Sequence, residues 1–236
     1  MIIANSLVSG FAGSNAMGQG LVLLQLLGSV IMVATIAGKF KELSFIRSAT
    51  QRFMRDFTAG QDVLEYYIQR RPSAKTGLEG IYRVTSERLL RTVGPSAREL
   101  VARDTSGASL TAREVELVRG TCEHALDEEE QRVRHGMGVI ATIVALEPML
   151  GLLGTVWGVL DAFAEMGSAG SANLATIAPS ISAALVTTVV GLIIAIPGVI
   201  AFNSLTAFSN GIQSDMEGFV DELMGRVACE YQGRAV

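Results

Sequence analysis

The sequence predicts an all-α membrane protein: three transmembrane helices with long helical cytoplasmic extensions. Three observations lead there. The 236 residues are 49% hydrophobic and only 18% charged, with a mean hydropathy of +0.39, too apolar for an ordinary soluble domain. The basic residues are partitioned: of 19 Lys and Arg, 17 lie within 39–134, two (Arg226 and Arg234) lie in the tail, and none lies in 1–38 or 135–225. Finally, three runs nearly free of charge are each long enough to cross a hydrocarbon core, which takes about 20 helical residues. The net charge of −4, without a clustered basic surplus, argues against a nucleic-acid binder.

Residues 1–16 form an N-terminal segment, expected on the periplasmic side. The first span is 17–38, an uncharged run rich in Leu, Val and Ile. No basic stretch precedes it and no A-x-A pattern follows, while Lys39 and Lys41 act as stop-transfer charges, so it is expected to persist in the mature protein rather than be cleaved as a signal peptide. The second span, 136–160, carries a single charge, Glu147. A short hairpin, 161–175, has two acids and no base, and the third span occupies 176–203 within a stretch, 166–214, that has no charge at all. Basic residues concentrate on the cytoplasmic side. Lys39, Lys41, Arg47, Arg132 and Arg134, close to the spans, therefore predict N-terminus out, with 39–135 and the tail 204–236 in the cytoplasm.

Within 39–135, Phe53, Phe57, Leu64 and Ile68 recur at helical spacing until Arg71 and Pro72 interrupt them. A helix is expected from 78 to 93, then a turn at 104–109. Thr111 and Glu114 have capping-box spacing, and Val115, Val118, Cys122 and Ala125/Leu126 continue from them as an apolar stripe. With no proline before Pro148, the pattern predicts one helix of about 50 residues, about 75 Å long, running into the second span. Ile212, Met216, Phe219 and Leu223 extend the third span in the same way, with Asp215, Glu217, Asp221 and Glu222 opposite them. The two extensions are expected to pack as a cytoplasmic bundle.

Little in the chain suggests metal or enzyme chemistry. Cys122 and Cys229 have neither CxxC nor Cys/His spacing, and His124 and His135 lack paired spacing; inert helix positions account for all four. The acidic run 127–130 reads as a solvated face. No P-loop or GxSxG string and no paired catalytic constellation occurs, so neither an enzyme nor a cofactor is expected.

The spans themselves are more informative. Gly151, Gly154 and Gly158 put small residues on one side of the second helix, and Ala183, Ala184 and Gly191 do so on the third; such faces allow close packing in lipid and are candidates for the subunit interface. Thr155, Thr187 and Thr188 are polar at membrane depth, although a threonine can bond the carbonyl of the preceding turn. Glu147 is the sharper signal. An acid there costs about 2.5 to 3.5 kcal/mol on insertion scales and marks a functional candidate, its alternative being to snorkel toward Arg132 and Arg134.

The strings LGLLGTVWGVLDAF, 150–163, and APSISAALVTTVVGLIIAIPGVIAFN, 178–203, resemble the signature spans of the ExbB/TolQ (MotA/TolQ/ExbB) proton channel family. The resemblance also covers the order of the spans, the large first loop and both long helices. It implies a bacterial inner-membrane motor: a homopentamer around a dimer of an ExbD/TolR-like single-span partner, converting proton motive force into work on a TonB- or TolA-like periplasm-spanning protein. Carried onto this sequence, Thr155 and Thr188 match pore-facing threonines, while Pro179, Gly191, Pro197 and Asn203 match structural positions. One departure stands out: Ala183 occupies the place of a family glutamate five residues before the second threonine, and Glu147 stands where alanine is usual. Glu147 is thus a candidate replacement on the ion pathway, beside Thr155, Thr187 and Thr188. The competing classes are a self-sufficient channel or transporter, for which three spans without an inverted repeat are too few, and a structural membrane scaffold, which leaves Glu147 and the threonines unexplained.

Overall fold

The computed structural model describes residues 16–58, 63–70, 77–93, 110–169 and 174–231. These form six helices: α1 Ala16–Thr58, α2 Glu65–Arg70, α3 Gly77–Val93, α4 Ala112–Arg134, α5 Met137–Ala169 and α6 Leu174–Tyr231. No strand occurs among the described residues. Three helical stretches, Ala16–Phe57, Ala112–Ser168 and Ile177–Tyr231, are long and apolar enough to cross a membrane, with best windows of mean hydropathy 2.2, 1.9 and 2.5. The chain divides into two compact units, one of residues 1–40 with 136–206 and one of 41–135 with 207–236. The interruption at Arg71 and Pro72 and the turn at 104–109 lie outside the described residues.

In the first unit, α1 to residue 40, α5 and α6 to residue 206 supply three membrane-compatible helical stretches. Leu23, Leu27 and Val30 of α1, Met149, Leu152 and Leu160 of α5, and Ile193, Ile196 and Ile200 of α6 all expose their side chains. This is the surface that a bilayer or neighbouring membrane helices would cover. Residues 161–169 continue α5 in helical form, and α6 has already begun at 174.

The second unit has an ordinary apolar interior. Phe53 and Phe57 of α1, Tyr82 of α3 and Phe219 of α6 form an aromatic cluster, with centroid separations of 5.4 Å for Phe53–Phe219, 5.2 Å for Phe57–Phe219 and 5.4 Å for Phe57–Tyr82. The Tyr82 hydroxyl donates to the Val63 carbonyl and accepts from the Tyr67 amide at 3.0 Å, so its polar end is satisfied where its ring is buried. Ile212, Met216, Phe219 and Leu223 are fully buried along α6, with Asp215, Glu217, Asp221 and Glu222 outside. Val115, Val118, Cys122 and Ala125 form the buried stripe of α4.

The expected start of α4 is present in detail: the Glu114 amide donates to Thr111 Oγ1 at 3.3 Å and the Thr111 amide donates to Glu114 Oε2 at 2.8 Å, the two reciprocal bonds of a capping box. Its end corrects the expectation of one continuous 50-residue helix. His135 caps α4 with extended ψ of 136°, its amide donating to Arg132 O at 3.2 Å, and Gly136 follows with φ of +82°. A residue with a side chain is strained in that region, and glycine is not, so Gly136 lets one helix stop and the next begin without a proline. A second correction concerns 53–70: α1 ends at Thr58, Val63 and Leu64 form a turn, and Ile68 on α2 is exposed rather than continuing the stripe.

Candidate functional site

The site is assembled where α5 meets α6 and α1 in the first unit. Close approach begins with glycine. A Cβ on Gly151 would stand 2.9 Å from Thr188 Cα, one on Gly154 2.7 Å from Thr187 Cβ, and one on Gly158 3.2 Å from Ala184 Cα. The small-residue faces of the second and third spans thus meet each other inside one chain. Ala183 and Ala184 are buried on α6, whereas Pro179 and Pro197 lie on its exposed side.

This proximity brings three hydroxyls onto one carbonyl. Thr155 Oγ1 donates to Gly151 O at 3.2 Å, Thr187 Oγ1 reaches the same oxygen at 3.2 Å, and Thr188 Oγ1 reaches it at 2.8 Å. Thr155 and Thr188 also hydrogen-bond each other directly, either able to donate, and Thr187 has a second acceptor in Ala184 O at 2.7 Å. Thr155 and Thr188 are half-buried and Thr187 is buried. Threonine hydroxyls each carry one proton and two lone pairs, so the cluster can relay hydrogen bonds in either direction.

Glu147 lies two turns before Thr155 on α5, 1% exposed. Its carboxyl is turned to α1: a Cβ on Gly28 would come within 2.5 Å of Glu147 Oε1, so a side chain there would push the carboxyl aside. Beside it Gln25, fully buried, donates its Nε2 to Glu147 O at 3.3 Å and to Thr187 O at 3.2 Å, tying the three helices together. Gly191 makes room for this contact, since a Cβ there would be 2.5 Å from Glu147 O and 2.8 Å from Gln25 Nε2. Glu147 is therefore at a three-helix junction, and no hydrogen bond joins its carboxyl to the Thr155–Thr188 pair.

A cleft of about 170 Å³ opens beside the cluster, lined by Trp157, Asp161 and Glu165 of α5, Ser180 and Thr187 of α6, and Leu21 of α1. Ser180 Oγ donates to Glu165 Oε2 at 3.0 Å across it.

In the second unit, Cys122 is buried, and burial pushes its thiol up to about 11 despite a hydrogen bond with Thr85 that acts the other way; such a thiol is a poor nucleophile. Cys229 is exposed. His124 is exposed beside Glu128, at 3.5 Å. The acidic run is not uniformly solvated, which corrects that expectation for Glu129: it is buried, accepting from Arg132 Nη1 at 2.7 Å and from the Gly77 amide at 2.9 Å.

Gln25 and Gly28 escaped the sequence reading. The signal was a lone amide in a Leu/Val run, costly in hydrocarbon unless partnered, with a glycine three residues on to open space beside it.

The chain is similar to known proteins over much of its length. The family described as the MotA/TolQ/ExbB proton channel family matches residues 95–218. The Tol-Pal system protein TolQ of Haemophilus influenzae is 31% identical over 198 residues, 82% of this chain and 81% of that protein. The protein of the same name from Pseudomonas aeruginosa is 32% identical over 178 residues, 75% of this chain and 72% of its own length. A biopolymer transport protein ExbB of Xanthomonas campestris pv. campestris is 34% identical over 119 residues, 50% of this chain and 47% of that protein.

Proposed function

Because this chain belongs to the MotA/TolQ/ExbB proton channel family and is a multi-pass inner-membrane protein, we propose that it is the stator subunit of an energy-converting complex. In this reading it assembles as a homopentamer around a dimer of a TolR/ExbD-like single-span protein. Ion flow past the Thr155–Thr188 pair changes the protonation of the partner's carboxyl, and the resulting motion is passed to a TolA- or TonB-like protein. The N-terminus and the loop after α5 face the periplasm; 39–135 and the tail face the cytoplasm. The observation that carries the reading is the hydroxyl cluster on Gly151 O, a polar relay between two membrane spans. TolQ relatives align over 82% and 75% of the chain and the ExbB relative over 50%, which favours work on the cell envelope over outer-membrane uptake.

A proton crossing 100 mV releases about 2.3 kcal/mol, useful only if its passage is coupled to the partner. Thr155→Val and Thr188→Val keep the side-chain shape and remove the hydroxyl. In a strain lacking its own TolQ-type subunit, the parent chain with its partner should restore envelope integrity. Both valine variants should capture the partner in pull-down yet fail to restore it. Full restoration by both variants, or a parent chain that captures no single-span partner, would overturn the proposal.

A further inference from the structure

The carboxyl of Glu147 and the amide of Gln25 pose a problem that the hydroxyl cluster does not solve. Gln25 has its amide orientation set by two carbonyls: with Nε2 donating to Glu147 O and Thr187 O, a flip would press Oε1 against two acceptors. Oε1 is therefore turned away from them, and it is buried with no hydrogen-bond partner; Glu147 Oε2 is likewise buried without one. Two oxygens that can only accept, on residues joined through the Gln25 amide and the Glu147 main-chain carbonyl at one three-helix junction, call for a donor or a cation.

Charged side chains are remote along all three helices. In this unit α1 carries its first charge at Lys39, 14 positions after Gln25, and α5 its next at Asp161, 14 positions after Glu147 and ahead of Glu165; α6 has no charge before Asp215. Fourteen helical residues are about 21 Å. An isolated carboxylate in such surroundings is costly, so what neutralises it must come from outside the chain. Gly28 and Gly191 let the two side chains lie between the helices, since Cβ atoms there would crowd Glu147 Oε1 and Gln25 Nε2. The cleft beside Asp161 and Glu165 comes as near as Thr187, whose carbonyl holds Gln25.

We infer that Glu147 and Gln25 form a monovalent-cation site inside the subunit, separate from the threonine pair, that takes up a proton or a sodium ion. A proton makes the Glu147 carboxyl a donor to Gln25 Oε1. A sodium ion is held by the same hard oxygens. The inference deepens the stator reading and rests on it only for the purpose of the bound ion.

The test uses the purified full-length chain in lipid nanodiscs, without partner, treated with dicyclohexylcarbodiimide, an apolar reagent that adds to protonated carboxyls. Peptide mass spectrometry should find the adduct on Glu147 and none there in Glu147→Gln. Sodium that protects at constant pH identifies a sodium site; labelling that follows pH and ignores sodium identifies a proton site. Gln25→Met keeps length and removes the acceptor, and should change the labelling rate about fivefold at the pH of half-labelling in the parent, the equivalent of one ordinary hydrogen bond. A Glu147 that stays unlabelled at every pH and shows no infrared band of a protonated carboxyl that Glu147→Gln removes would overturn the site. So would labelling indifferent to pH, to sodium and to Gln25→Met. Partner capture by the parent chain separates the two claims: capture without labelling refutes the ion site alone, and labelling without capture refutes the stator reading alone.

Discussion

The two units of this chain place polarity in opposite ways. In the first, the polar side chains of Gln25, Glu147 and Thr187 are buried while Leu27, Leu152 and Ile193 are exposed. In the second, Phe53, Tyr82 and Phe219 are buried while Asp215, Asp221 and Glu222 are exposed. Water drives the second arrangement, since burying apolar area is favourable only against an aqueous alternative. Lipid removes that drive in the first, and helices associate there through close backbone approach and interhelical hydrogen bonds. The same kind of helix, α6, meets both conditions along its length, and its sequence changes from glycine and threonine contacts at 187–191 to aromatic and aliphatic contacts at 212–223.

The contrast is broken most directly by truncating one large apolar side chain in each unit. Phe219→Ala should cost about 3–5 kcal/mol, since it empties a buried ring site. Leu152→Ala, at a position 62% exposed, should stay within about 0.5 kcal/mol. Melting of the purified protein in one detergent compares them. Equal losses would mean that Leu152 is packed in the protein as purified.

A smaller effect sharpens the comparison within the first unit. Gly154→Ala puts a methyl 2.7 Å from Thr187 Cβ and should destabilise by about 1–3 kcal/mol through overpacking. Gly20, with no atom within 4 Å of its added Cβ, should tolerate Ala and gain up to about 1 kcal/mol of helix propensity. The expected signature is melting temperatures that move in opposite directions. A Gly154→Ala variant as stable as the parent would show that α5 and α6 have slack between them.

The smallest predicted effect lies in the second unit, where ordinary aqueous rules apply. Thr111→Ala should cost about 1 kcal/mol by removing the cap of α4. The Glu114 carboxyl, held below its usual 4.5 chiefly by the Thr111 backbone amide and then by its hydroxyl, makes the box pH-dependent. Its contribution is complete above the unfolded value and is lost as pH falls through the lower folded one. Unfolding of parent and Glu114→Ala, which loses both bonds to the carboxylate, should converge across that window as the medium becomes acid. A constant difference would show that the carboxylate does not take part.

How much of this was legible differs between the units for the same physical reason. Charge and hydropathy locate the spans because an unpaired charge in hydrocarbon is expensive at any position. Thr111 with Glu114 could be read because a cap is local, spanning four residues. The end of α4 was not, because no proline marks it and Gly136 acts through a positive φ that a glycine does not announce. The glycine faces showed that something approaches closely without showing what; the contacts of Gly151, Gly154 and Gly158 with Thr187, Thr188 and Ala184 depend on tertiary pairing. Gln25 was missed for a related reason, since its partners lie 122 and 162 positions away.

The crowding on Gly151 O has a further consequence. Three hydroxyls point at one oxygen that has two lone pairs, one already engaged by the helix, so they cannot all donate at once. Thr187 has Ala184 O as a second acceptor, and Thr155 and Thr188 can donate to each other in either sense. The hydrogens thus have several possible arrangements over a fixed set of oxygen positions. Such a cluster is a reversible dipole: an approaching charge can turn its net direction by rotating hydroxyls alone, without moving a helix.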